Sequence, residues 1–223
     1  MKGEIQLAFQ EKFIAQDGKI GSGSQISYAI ALQAGMVPDS MKERVTDKLV
    51  EAIEKRNWHV STGFIGTPYL LFALSENGRA DVAYRLLLNE SYPSWGYMVK
   101  NGATTWWERW NSDSGDPSMN SFNHYAFGSV VEWLYRSMTG INADPEAPGF
   151  KKIVISPVFD ESGKITHAKG EFVSAYGKIV SEWSSTVDKT ASLKVKIPAN
   201  TTESDAMCKD LKKRGFRFVG TTI

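Results

Sequence analysis

Near residue 142 the spacing of apolar residues changes from a helical period to a two-residue alternation, and no single element type accommodates both. Upstream, apolar residues recur every three to four positions. Ile5, Phe9 and Phe13 mark a helix over residues 4–16, ended by Asp17-Gly18. Ser24 is an N-cap for a short apolar helix through Ala34, closed by Gly35. From Asp39 or Ser40 a further helix lines up Met41, Val45, Leu49 and Ile53, with Glu and Lys on its other face. Pro68 fits the first turn of a helix through Leu74, and residues 79–89 place Ala83, Leu86 and Leu87 together. Residues 91–118 break the pattern. Pro93, Gly96, Gly102, Gly115 and Pro117 punctuate them, and Trp95, Trp106, Trp107 and Trp110 fall among them. Residues 119–139 then read as one helix, with Phe122, Ala126, Val130, Trp133 and Leu134 inward.

Downstream, Pro145, Pro148 and Gly149 form a linker. A short strand at 152–155 follows, then strand-like alternation over Lys169–Trp183 and Leu193–Ile197. Helices followed by strands give an α+β chain in separate modules. The modules are expected at residues 1–142 and 143–202, with a tail of different character at 203–223.

Composition narrows the function classes. Lys and Arg number 26 against 25 Asp and Glu, so no charged face for nucleic acid or an anionic membrane surface is indicated. No apolar run approaches the roughly 18 residues of a membrane span. One cysteine, Cys208, allows no internal disulfide. His59, His124 and His167 are too far apart for a zinc motif, so no metal and no cofactor are expected.

Three segments are candidates for chemistry. In Gly102-Ala103-Thr104-Thr105-Trp106-Trp107-Glu108-Arg109-Trp110 an acid sits among indoles. Aromatic faces stack on the C–H faces of a sugar ring, and a nearby carboxylate moves a proton or binds hydroxyls. The structural alternative is a surface glutamate paired to Arg109 beside core tryptophans. In Met119-Asn120-Ser121-Phe122-Asn123-His124-Tyr125, Asn120 and His124 are four apart and would share a helix face, where they can reach a ligand. The alternative is a core histidine with satisfied hydrogen bonds. Thr62-Gly63-Phe64-Ile65-Gly66-Thr67-Pro68 reads most simply as a loop entering a helix.

Together with Tyr92-Pro93-Ser94-Trp95-Gly96-Tyr97, these segments occur in the order found in the inverting α-L-rhamnosidases, and the chain resembles that family over residues 4–200. The resemblance implies a partial (α/α)6 barrel, about half its helices, followed by a small, incomplete antiparallel β-sandwich. It implies hydrolysis of terminal α-L-rhamnosyl residues of a glycan or glycoside with inversion. Glu108 corresponds to the family's general base and His124 to its sugar-contacting histidine, with Trp107 and Trp110 as pocket walls. No cofactor is implied, because two carboxyl groups suffice.

The resemblance also implies what is missing. The family's general acid lies upstream on an acidic, Arg- and Trp-containing segment that has no counterpart here. The partner expected for this chain is therefore the N-terminal half of the same enzyme, and the chain alone is expected to be inactive. Two rival readings remain: a non-catalytic carbohydrate-binding protein with the same aromatic cleft, and an (α/α)6 glycosidase of other specificity. After Thr202 the likeness stops. The tail Cys208-Lys209-Asp210-Leu211-Lys212-Lys213-Arg214-Gly215-Phe216-Arg217-Phe218-Val219-Gly220 is similar to a short internal stretch of bacterial 3-methyladenine DNA glycosylases. It is too short to hold that enzyme's pocket. Its origin is either a junction with foreign sequence or chance, as a basic amphipathic helix and a strand end.

Overall fold

The stripe Val45, Leu49, Ile53 is fully buried along α3 (Lys42–Glu54), and its first member, Met41, closes the 3₁₀ turn Asp39–Met41 that precedes it. The computed structural model describes residues 2–114, 121–186, 190–198 and 213–214. Asn120, Cys208 and most of the 203–223 tail thus lie outside the described residues. The chain divides into two compact units, Met1–Val130 and Val131–Ile223.

In the first unit, α1 (Lys2–Phe13) precedes α2 (Gln25–Gln33), which packs against both α3 and α4 (Gly63–Ser75). Helix α5 (Ala80–Leu87) lies against α4, and α6 (Trp95–Lys100) and α7 (Tyr125–Gly128) follow. Ser24 is the N-cap of α2, as its sequence predicts, but its hydroxyl bonds other serines and not the helix end. Gln25 ties α2 to the loop between α3 and α4: its amide donates to the His59 carbonyl and accepts from the Ser61 N–H. These bonds satisfy a side chain that is almost fully buried.

Three helix assignments differ from the periodicity. Helix α4 starts five residues before Pro68, which therefore sits inside it. The Thr67 hydroxyl, which donates to the Gly63 carbonyl and meets the Thr62 hydroxyl, holds the turn that the missing proline N–H weakens. A short helix, α6, falls inside the stretch expected to be irregular, capped by the Ser94 hydroxyl accepting from the Tyr97 N–H. The helix expected over 119–139 begins only at Tyr125, because residues 121–124 pair with another segment. It is also broken at Ser129 and ends in a π-helical turn, Leu134–Met138. Its inward set holds at Ala126, Val130 and Trp133, while Phe122 is exposed.

Helix α1 buries none of its residues, and Ile5, Leu7 and Phe13 face solvent. Helix α4 is apolar on all sides. Its second half is buried, but Ile65 in its first half is 71% exposed. A helix apolar all round is normally covered all round.

In the second unit, β1 (Ile141–Ala143) and β2 (Ile153–Ile155) pair antiparallel, and β3 (His167–Ser174), β4 (Gly177–Ser185) and β5 (Ala191–Lys196) form an antiparallel sheet in that order. The alternation is literal: Ile179, Ser181 and Trp183 on β4 and Leu193 and Val195 on β5 point to one buried face. Their core includes Ile141, Ile155 and Ala168. The Trp183 indole N–H donates to the Met138 carbonyl at 2.7 Å, which ties the sheet to the π turn. Between turn and strand, Gly140 has φ +74°, and a Cβ there would stand 2.2 Å from the Pro157 nitrogen. Only glycine allows that approach.

The loop between β2 and β3 is organised by Asp160, which is almost fully buried. One oxygen accepts from the Ser162 N–H and hydroxyl, the other from the N–H groups of Lys164 and Ile165. Burial pushes its pKa up, but the Ser162 hydroxyl and the three main-chain donors outweigh burial and hold the carboxyl below its ordinary value. Its contribution to stability is therefore complete above the unfolded value near 3.9 and is lost as pH falls through the lower folded value. Asp160→Asn is expected to cost about 1–3 kcal/mol at pH 7, with the gap to the parent closing below about pH 4. Thermal unfolding across pH 2–7 measures both; a gap that stays constant through that range would contradict the assignment.

Candidate active site

Glu108 and His124 are placed by a main-chain clasp. The Glu108 N–H donates to the Ser121 carbonyl and the His124 N–H to the Trp106 carbonyl, each at 2.8 Å, so residues 105–108 and 121–124 run antiparallel. Side chains reinforce the clasp at both ends: the Thr105 hydroxyl donates to the Phe122 carbonyl, and Glu108 Oε2 accepts from the Ser121 N–H at 2.8 Å. The carboxylate is half-buried and oriented by a main-chain donor. Among the described residues no hydrogen bond engages Oε1.

His124 is the residue before α7 and caps it. Its Nδ1 accepts from the Ala126 N–H at 3.2 Å. An acceptor Nδ1 in a neutral imidazole places the hydrogen on Nε2, which leaves a donor at the outer end of the ring. Phe64 stacks on one side of the imidazole, with centroids 4.7 Å apart, and Tyr125 stacks on it at 5.1 Å. The helix face proposed for Asn120 with His124 does not form at His124, which lies ahead of the helix in extended conformation.

The tryptophans divide by burial. Trp107 is 5% exposed and belongs to a cluster with Met98 and Phe127. Trp110, half-buried, stacks on Phe127 at 3.9 Å and meets Trp95 edge-on at 5.3 Å. The Trp95 indole donates to the Phe127 carbonyl. Phe64 also meets Phe127 edge-on at 5.7 Å. One aromatic body thus joins α4, α6, the Trp-Glu segment and α7, with Phe64, His124 and Tyr125 at its surface; Tyr125 is 81% exposed.

Sequence reasoning picked out Glu108, His124, Trp107 and Trp110, and the structure brings their two segments together. It passed over Phe64 and Tyr125. Tyr125 adjoins a residue already singled out. Phe64 lay in a segment read as a helix entry, and its stacking partner is sixty residues away in sequence, beyond the reach of periodicity. Among the described residues no group of three or more metal-ligating side chains assembles, and no helix is long and apolar enough to cross a membrane.

What this arrangement offers is a fixed carboxylate oxygen, an imidazole N–H donor and apolar ring faces. That is the equipment for holding a polyhydroxylated ring and accepting a proton beside it.

Residues 1–138 match the model of the bacterial alpha-L-rhamnosidase 6 hairpin glycosidase domain, and residues 140–205 that of the bacterial alpha-L-rhamnosidase C-terminal domain. A curated alpha-L-rhamnosidase of Streptomyces avermitilis is 43% identical over 203 residues, which is 89% of this chain and 19% of that protein. The crystal structure of the Streptomyces avermitilis alpha-L-rhamnosidase complexed with L-rhamnose superposes with a TM-score of 0.77 at 44% identity, covering 83% of this chain and 18% of the other. The native Aspergillus terreus enzyme gives a TM-score of 0.82 at 32% identity, covering 89% and 23%. The chain spans about a fifth of the length of these relatives. A short stretch, 27 residues and 12% of the chain, is 70% identical to DNA-3-methyladenine glycosylase 1 of Escherichia coli, of which it covers 14%.

The clasp makes a structural prediction. A Cβ on Gly128 would come within 2.9 Å of the Trp106 ring, whose main-chain carbonyl holds His124. Gly128→Ala is expected to cost about 1–3 kcal/mol through overpacking and to shift the tryptophan emission. Unchanged melting and unchanged emission would show that the contact is slack.

Proposed function

Because the chain belongs to the bacterial α-L-rhamnosidase family, the one defined by the six-hairpin glycosidase domain, we propose that it supplies the later part of the catalytic domain of an inverting α-L-rhamnosidase, with Glu108 as the general base. The helices of the first unit form about half of an (α/α)6 barrel, and strands β1–β5 the first part of a C-terminal β-sandwich. The substrate is a terminal α-L-rhamnosyl residue of a glycan or glycoside.

The observation that carries this reading is the position of the Glu108 carboxylate. One oxygen is pinned by the Ser121 N–H within the clasp that also positions His124. Inverting hydrolysis needs a carboxylate that takes a proton from water as the water attacks the anomeric carbon, and a second carboxyl group roughly 6.5–9.5 Å away that protonates the leaving oxygen. Glu108 takes the first role. Its fixed oxygen orients the free one, so the lone pair facing the water is set before reaction. His124 donates from Nε2 to a sugar hydroxyl, and Trp110 forms the apolar wall, while Trp107, expected as a second wall, is buried and backs it from within the cluster. The general acid belongs to the remaining part of the barrel.

The exposed apolar faces support the same division. Ile5, Leu7, Ile65 and Val99 are large apolar side chains in solvent on helical elements, a pattern of surface awaiting cover. The 223-residue chain alone is therefore expected to associate in size-exclusion chromatography and to leave an aryl α-L-rhamnoside uncleaved. Within a polypeptide carrying the complete barrel, hydrolysis is expected to release the β-anomer first. There Glu108→Gln should lower kcat by about 10²–10⁴ with KM little changed. NMR of the nascent product and steady-state kinetics read both. Turnover by the isolated chain that survives Glu108→Gln would overturn the assignment.

A further inference from the structure

Away from the Glu108 clasp, a cavity of about 620 Å³ opens between the 17–25 turn, α3 and the segment entering α4. Four cations line it, Lys19, Lys48, Lys55 and Arg56, against two carboxylates, Asp17 and Glu51. We propose that this cavity binds a small molecule through an oxyanion group: a carboxylate, sulfate or phosphate.

Glu51 is neutralised by Lys48, and Asp17, held by a main-chain N–H, keeps its single charge against the other three cations. Glu51 accepts from Lys48 with both oxygens at 3.0 Å, and Asp17 accepts from the Lys19 N–H at 3.0 Å. Lys19, Lys55 and Arg56 enter no ion pair among the described residues. An excess of cation is thus left facing one concave space, where low-dielectric walls concentrate the field on an incoming anion. The Lys19 side chain is folded across the turn toward the cavity: its Cε lies 3.2 Å from where a Cβ on Gly23 would stand. Glycine at that position, with φ +73°, is what leaves it room.

The wall also carries hydroxyl groups. Ser22, Ser24 and Ser27 meet each other at 2.8–3.3 Å, and Ser22 and Ser24 line the cavity. Hydroxyl protons rotate, so this group turns donors outward to an anion at the expense of bonds among themselves. Arginine adds a planar fork that grips two oxygens at once, and lysine a point charge, which together are a common recipe for oxyanions. A volume of about 620 Å³ takes a ligand of monosaccharide to disaccharide size. This site stands apart from the reading of Glu108, since it shares no residue with the clasp.

Titration of the 223-residue chain, followed by calorimetry, tests the proposal with four probes: inorganic phosphate, sulfate, D-glucuronate and neutral D-glucose, all at one ionic strength held with chloride. Saturable binding of the anions and none of glucose is expected. Preference for glucuronate marks an acidic sugar as the ligand, and preference for phosphate or sulfate marks a free anion or an ester. Lys55→Gln with Arg56→Gln is expected to weaken binding about tenfold or more. Both side chains are exposed, so the fold should be kept, which circular dichroism checks; Arg56→Glu alone is the second variant, and Arg56→Lys should restore part of the affinity. No saturation with any anion, or binding that persists unchanged in the folded double variant or in Arg56→Glu, would overturn it.

Discussion

Two main-chain hydrogen bonds, from Glu108 to Ser121 and from His124 to Trp106, hold together the candidate active site of the first unit. Residues from two loops, with no helix of their own at that point, are fixed by pairing as strands pair. The indoles and phenyl rings around them are less a core than a mould. They bury Trp107, leave Glu108 and His124 half-buried and present Tyr125 to solvent. A carboxylate on a loose loop would sample many orientations. One whose oxygen accepts a main-chain N–H inside such a ribbon is held to few, and catalysis by proton transfer depends on that restriction.

The helices were legible to different degrees for physical reasons. The stripe on α3 is readable because solvent on one side and core on the other impose a period on the sequence. Helix α4 carries no such contrast, being apolar throughout, so the nearest local signal is Pro68, which suits a first turn, whereas the helix starts at Gly63. Strands β3, β4 and β5 are readable from alternation and β2 from a short β-branched run after a linker, whereas β1, three residues directly after a helical segment, carries neither signal. The break of the expected 119–139 helix at Tyr125 was invisible because it is caused by residues 105–108, which capture the preceding segment. Local sequence cannot report a partner thirteen or more positions away.

The site divides in the same way. Glu108 and the tryptophans stand out because an acid among indoles is chemically unusual. Phe64 does not stand out, since a phenylalanine at the start of an apolar helix is ordinary until the imidazole of His124 is found stacked upon it. Similarity to known enzymes adds what neither composition nor period holds, membership of a family, and it reaches only the fifth of those enzymes that this chain represents.

The missing side chain at residue 140 has a reach beyond its own turn. The Ser156 N–H donates to the Gly140 carbonyl and the Val158 N–H to the Ser137 carbonyl, so the π turn and the end of β2 are stapled at a spacing that only a hydrogen substituent permits. The pairing of β1 with β2 then has one permitted alignment, because a slip of one residue would drive a substituent into the opposing backbone. The register of this one strand pair is thus inherited from an absence, a gap one methyl group wide that works as an alignment pin.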